Sequence, residues 1–114
     1  MPSTGNDFTP RDVGEQCLLS IDFGNNLGPG ETLASATSSI LLLTGTDASP
    51  SSRLVGLPIV TGTIVSQLVS FAGLTMTDAS PRNYYRLFIT ATTSLPQTLK
   101  AWSQIQCSDP TLVT

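Results

Sequence analysis

The chain has 114 residues, 39% of them hydrophobic and only 11% charged, with a net charge of −3 and no histidine. That length makes one domain large enough to bury a core without metal or disulfide staples, and the missing charge, against a usual share of about a quarter, is replaced by Ser and Thr. The five basic residues, Arg11, Arg53, Arg82, Arg86 and Lys100, stand singly, so the concentrated positive footprint that direct nucleic-acid binding needs is not formed by the sequence.

In chain order, residues 1–14 are polar, carry Pro2 and Pro10 and show no period. They are expected to form an extended arm, ordered only where a neighbour holds it. Phe8 is the one aromatic of this arm and a candidate anchor into a partner. The start of the chain has neither a basic nor an apolar stretch of the kind that makes a secretory signal, so synthesis in the cytoplasm is expected. The longest apolar run considered, Ile40 to Leu43, falls far short of the roughly 20 residues needed to cross a bilayer.

The β-rich domain is expected over 15–107. Its first strand, 15–23, alternates Cys17, Leu19, Ile21 and Phe23 inward with Gln16, Leu18, Ser20 and Asp22 outward. Leu18 departs from the alternation and suggests partial cover outside. A turn-rich loop with Gly24, Gly28, Pro29 and Gly30 follows. The second strand region, 32–43, ends in the Ile40–Leu43 run, which fits a strand covered on both faces. Strands at 54–60 and 63–71 form a hairpin around Thr61-Gly62, and Pro58 confines the first of them to a sheet edge or to its own start. After a connection at 73–83, a closing hairpin turns at 94–97. Tyr85, Leu87, Ile89 and Ala91 line one face of its first strand and Tyr84, Arg86, Phe88 and Thr90 the other. The last strand sets Leu99, Ala101, Ser103, Ile105 and Cys107 against Lys100, Trp102, Gln104 and Gln106. Residues 108–114 are a polar tail. About seven short strands with regular turn signals predict an all-β, antiparallel sandwich of two sheets.

Chemistry is sparse. Without histidine the usual general base and the commonest metal ligand are both missing, and no Cys-x-x-Cys marks a zinc site. Asp22, Glu31, Asp47 and Asp78 sit in or beside predicted loops, where solvation explains them. The glycines at 24, 28 and 30 lack the lysine and helix of a phosphate loop, and turn chemistry accounts for them. No catalytic, cofactor-binding or metal-binding residue is therefore expected, and a scaffold is favoured over an enzyme. Cys17 and Cys107 form either a disulfide between first and last strands or two small buried hydrophobes, and a reducing cytoplasm favours the second. Trp102, Tyr84 and Tyr85 suit either a sugar-stacking face or packing against the core or a subunit, with packing favoured.

Three segments carry a resemblance: IDFGNNLGPGETLASATSSILLLTG from Ile21, LPIVTGTIVSQLVSFAGLT from Leu57, and YYRLFITATTSLPQTLKAWSQIQC from Tyr84. Together they resemble a family of small phage virion proteins, Ig-like sandwiches that serve as fibre–tail or head–tail adaptors. The I-D-F strand opening, the G-E-T-L-A-S-A-T element, the T-G-T-x-V hairpin and the Y-x-L-x-I-T-A-T-T strand bear it, over about residues 15–107. Two departures stand out: Ser38, Ser39 and Ile40 occupy the place of a frequent Trp, and Leu95-Pro96 that of a Gly-rich turn.

The resemblance implies an Ig-like fold of about seven strands and a structural role in a tailed phage virion, as an adaptor in the tail or neck. Its partners would be other virion proteins and further copies of the chain, with no direct nucleic-acid or membrane partner. A capsid decoration protein is the nearest alternative, and a carbohydrate- or cell-surface-binding module the alternative from another class. Phe8, Arg11, Pro58, Tyr84 and Trp102 are the candidate interface residues.

Overall fold

A computed structural model of the chain describes residues 8, 10–76 and 82–109. The rest of the expected arm, residues 110–114 of the tail and Asp78 lie outside the described residues. Seven strands follow in order: β1 (Arg11–Asp12), β2 (Gln16–Asp22), β3 (Leu33–Thr44), β4 (Leu54–Thr61), β5 (Ile64–Ser70), β6 (Arg82–Thr93) and β7 (Thr98–Ser108). They form one sheet ordered β1-β7-β6-β3 and another ordered β2-β5-β4.

The core lies between the sheets and is filled by strict alternation. From the smaller sheet come Cys17, Leu19, Ile21, Val65 and Val69, followed at the strand ends by Phe23 and Phe71. From the larger come Tyr85, Leu87, Ile89, Ala91, Ala101, Ile105 and Cys107. Phe71 and Tyr85 meet across the layers with ring centroids 5.6 Å apart. Each fully buried Leu, Ile or Phe contributes about 1.5–3 kcal/mol, so this face-to-face burial is what holds the sheets together. Both cysteines are free thiols buried in that core, as small hydrophobes. Burial raises both thiols above their usual range, that of Cys107 to about 12.

Three expectations are corrected. The sandwich is not wholly antiparallel, because β1 pairs with β7 in parallel, Arg11 beside Cys107. A parallel pair needs a long crossover, and here the whole domain between first and last strands supplies it. The described part of the arm is thereby held by its own chain: Phe8 N–H donates to Gln104 O (2.9 Å) and Val13 N–H to Ser108 O (2.9 Å). Next, β3 is not covered on both faces. It is the outermost strand of its sheet, its inward Ile40 and Leu42 are half-buried, and Leu41 and Leu43 are 49% and 37% exposed. A two-layer fold has nothing to lay over an outer side at its margin. Leu18, by contrast, is partly covered, at 54% exposed.

β4 is an edge strand, as Pro58 requires, and the chain handles the missing N–H locally. Its register with β5 slips between Val55 and Ile59, around Gly56 at φ +69°. That bulge frees backbone carbonyls, and the buried Gln67 amide recovers them: Nε2 donates to Val55 O (3.2 Å), Gly56 O (3.3 Å) and Leu68 O (2.9 Å). These bonds offset part of the cost of burying the amide, whose Oε1 is buried without a hydrogen-bond partner.

Candidate interaction surface

Because β6 and β7 bury their inward positions, their outward ones form a face of their own. The register sets Phe88 opposite Trp102, Arg86 opposite Gln104 and Tyr84 opposite Gln106. Arg86 therefore stands diagonal to Trp102, and its guanidinium carbon lies 3.9 Å from the centre of the indole ring. Stacking of this kind contributes about 0.5–1 kcal/mol near a surface. All of these outward residues are half-buried. The arm closes one end of the face: Phe8 and Pro10, with Tyr84, Gln104, Ile105 and Gln106, line a shallow cleft of about 220 Å³.

Of the five residues expected at an interface, the structure places Tyr84 and Trp102 on this face and Phe8 at its end, where Phe8 also packs against the core. Arg11 is separated from them. It pairs in register with the inward Cys107 and lies 3.8 Å from the carboxylate of Glu15. Pro58 is in the other sheet, half-buried on β4. Arg86, Phe88, Gln104 and Gln106 complete the face. The alternation had put them on outward sides, but only the register shows that they adjoin Trp102.

The outward side of the smaller sheet is of another kind. Leu57 is 87% and Ile59 59% exposed, and Leu18, Val55 and Ile64 add further apolar surface. Between them Ser20 Oγ and Ser66 Oγ, opposite one another in the β2–β5 register, form a hydrogen bond of 2.7 Å.

The carboxylates work as clamps rather than as free solvated acids. Asp22 Oδ1 accepts from Gly24 N–H (2.8 Å) and Thr63 Oγ1 (2.8 Å), which ties the end of β2 to the β4–β5 turn. Glu31 accepts from Gly28 N–H (2.8 Å) and from Thr93 Oγ1, which ties the loop before β3 to the end of β6. Both carboxyls are held below their ordinary values, first by the backbone N–H and then by the hydroxyl. Asp47 sits in a buried cluster on the β3–β4 connection. Tyr85 Oη donates to Asp47 Oδ2 (2.7 Å) and accepts from Asn83 Nδ2 (3.0 Å), while Arg53 Nε is 3.7 Å from Asp47 Oδ2. Asn83 also exchanges two bonds of 3.0 Å with the backbone of Thr46. Burial, above all, raises the Tyr85 hydroxyl.

This cluster also dictates Gly45, whose φ is +113° and where an added Cβ would lie 2.8 Å from Arg82 O and collide with the Asn83 side chain. Asp47, Asn83 and Tyr85 are spent on one another and on the Thr46 backbone, while the buried Arg53 Nε has no hydrogen-bond partner, and the cluster pins a loop to β6. Among the described residues, no group of three His, Cys, Asp or Glu side chains is placed to hold a metal ion. Among the same residues, no helix is long and apolar enough to cross a membrane.

No family model, curated protein or solved structure matches the chain. What the surface can do is thus read from its own chemistry. It offers flat aromatic rings, one stacked guanidinium and a margin of neutral amides.

Proposed function

We propose that this chain is an Ig-like structural subunit of a tailed phage particle, an adaptor in the tail or neck that works through protein–protein contacts. The strand order supports the Ig-like reading. Numbered along the chain, β3, β6 and β7 occupy the places of strands C, F and G, and β2, β5 and β4 those of B, E and D. The inter-sheet disulfide and core Trp of antibody domains are absent among the described residues, since both cysteines are free and Trp102 faces outward.

The observation that carries the functional reading is the convergence of Tyr84, Arg86, Phe88 and Trp102 on one face, with Phe8 at its end. Tyr, Trp and Arg are the residues enriched where protein interfaces draw their affinity. Arg86 covers one side of the Trp102 ring, which favours a protein contact over sugar stacking there. The segments that resemble phage adaptor proteins, from the I-D-F strand to the closing hairpin, favour a virion as the setting.

The test is the number of copies of the chain per purified phage particle, by quantitative mass spectrometry. On the order of six to some tens is the expected result for a cyclic tail or neck assembly. Hundreds would make it a capsid decoration protein, and absence from the particle would end the virion reading.

A further inference from the structure

Strand edges are where a sheet can add a partner, and natural proteins defend them by shortness, charge, proline, bulges or cover. The other three sheet margins here carry such defences. β4 has its bulge and Pro58. β7 is partly covered by the arm through Phe8, β1 and Val13. β2 is only seven residues long and ends at Asp22.

β3 carries only register shifts against β6 near its ends, between Leu33 and Ser35 and between Leu42 and Thr44. Its twelve residues, Leu33–Thr44, contain no charge, no proline and no glycine. It is bonded to β6 on one side alone, and β4 runs near its other side within a different sheet. At about 3.4 Å per residue, the regular stretch from Ser35 to Leu42 gives roughly 27 Å of strand with no hydrogen-bonded neighbour on that side. Exposed apolar side chains stand on both strands, Leu41 and Leu43 on β3 and Leu57 and Ile59 on β4.

We infer that β3 pairs antiparallel with β3 of a second copy of this chain, about a two-fold axis at Ser38, so that two four-stranded sheets become continuous. An uncharged strand meets its own copy without repulsion, although the chain as a whole carries −3. In this register Thr37 faces Ser39 of the second copy and Ser39 faces Thr37, so hydroxyls meet hydroxyls on the outward side. Ser38 faces Ser38 on the inward side. In the single chain Ser38 Oγ is buried with no hydrogen-bond partner, and the pairing supplies one. The molecule already uses this device where Ser20 and Ser66 bond across β2 and β5. The pairing goes beyond the virion reading and is measured without it, on the purified chain.

Sedimentation equilibrium of the full chain tests it. The expected mass is that of two 12.0 kDa chains. Thr37 and Ser39 are exposed in the single chain, so charges there leave the fold intact, as the far-ultraviolet circular dichroism of each variant verifies. The double variant T37K/S39K sets like charges opposite one another twice and is expected to weaken the dimer about tenfold or more. T37E/S39E is expected to do the same, and an equimolar mixture of the two to restore the dimer. A native chain that stays monomeric at every concentration overturns the inference. So does a dimer that both charged variants leave unchanged, or a mixture that fails to restore pairing. Copy number in the particle fails or holds separately.

Discussion

The two outward faces of this molecule arise from the same period-two alternation and have opposite characters. On β6 and β7 the outward side chains are long and flat and cover one another, Arg86 over Trp102 and Phe88 beside it, so that all are half-buried within one chain. On β2, β5 and β4 they are short aliphatics and serines, and Leu57 and Ile59 stand 87% and 59% exposed. Alternation decides only which way a side chain points. How much water it loses depends on the reach of its neighbours across the strands, which explains why a run such as Ile40–Leu43 can look buried in sequence and yet lie at a margin.

Each face rests on a support that can be removed alone. Beneath the aliphatic face, Gln67→Leu leaves the carbonyls of the β4 bulge without their donor. We expect a loss of about 1–3 kcal/mol in denaturant unfolding, with hydrogen exchange rising in β4 and unchanged in β6 and β7. Equal loosening of both sheets would mean that the bulge is not an independent support. On the aromatic face, Arg86→Ala uncovers the Trp102 ring. The expected cost is smaller, about 0.5–1 kcal/mol, and the Trp102 emission should move to longer wavelength; an unmoved spectrum would show that other side chains shield the indole.

The weakest contrast concerns acid. Asp22 clamps the smaller sheet and Glu31 the larger, and both carboxyls titrate below their ordinary values of 3.8 and 4.5 in the folded chain. The unfolded chain therefore takes up these protons first as pH falls. The stability they contribute is present in full above the ordinary values and lost progressively as pH drops through the lower folded ones. Asp22→Asn and Glu31→Gln should each reduce the fall in Tm between about pH 5 and about pH 3, additively because the two clamps share no partner. A fall as steep in the double variant as in the native chain would assign acid sensitivity to other carboxylates.

Much of the fold is legible in local pattern. The inward sets Cys17-Leu19-Ile21-Phe23 and Tyr85-Leu87-Ile89-Ala91 are buried as their spacing predicts, the turns fall near 62 and 94–97, and Pro58 marks an edge. The candidate surface was legible only in part. Tyr84 and Trp102 stand on outward sides by alternation alone, yet nothing local says that they belong with Phe8 or that Arg86 lies on the indole. Asp22, Glu31 and Asp47 read as ordinary loop acids until their donors, up to 62 residues away in the chain for Glu31, come into contact.

Side-chain direction repeats every two residues, a property of the strand itself, so the sequence by itself determined an all-β chain, its inward and outward sets and its edge proline. Neighbourhood is set by which strands pair and in what register, and those pairings join residues far apart in the chain. Tertiary structure alone therefore decided that β1 lies parallel to β7, that β3 has no hydrogen-bonded neighbour on one side, and that Tyr84 and Trp102 share one face with Phe8 at its end.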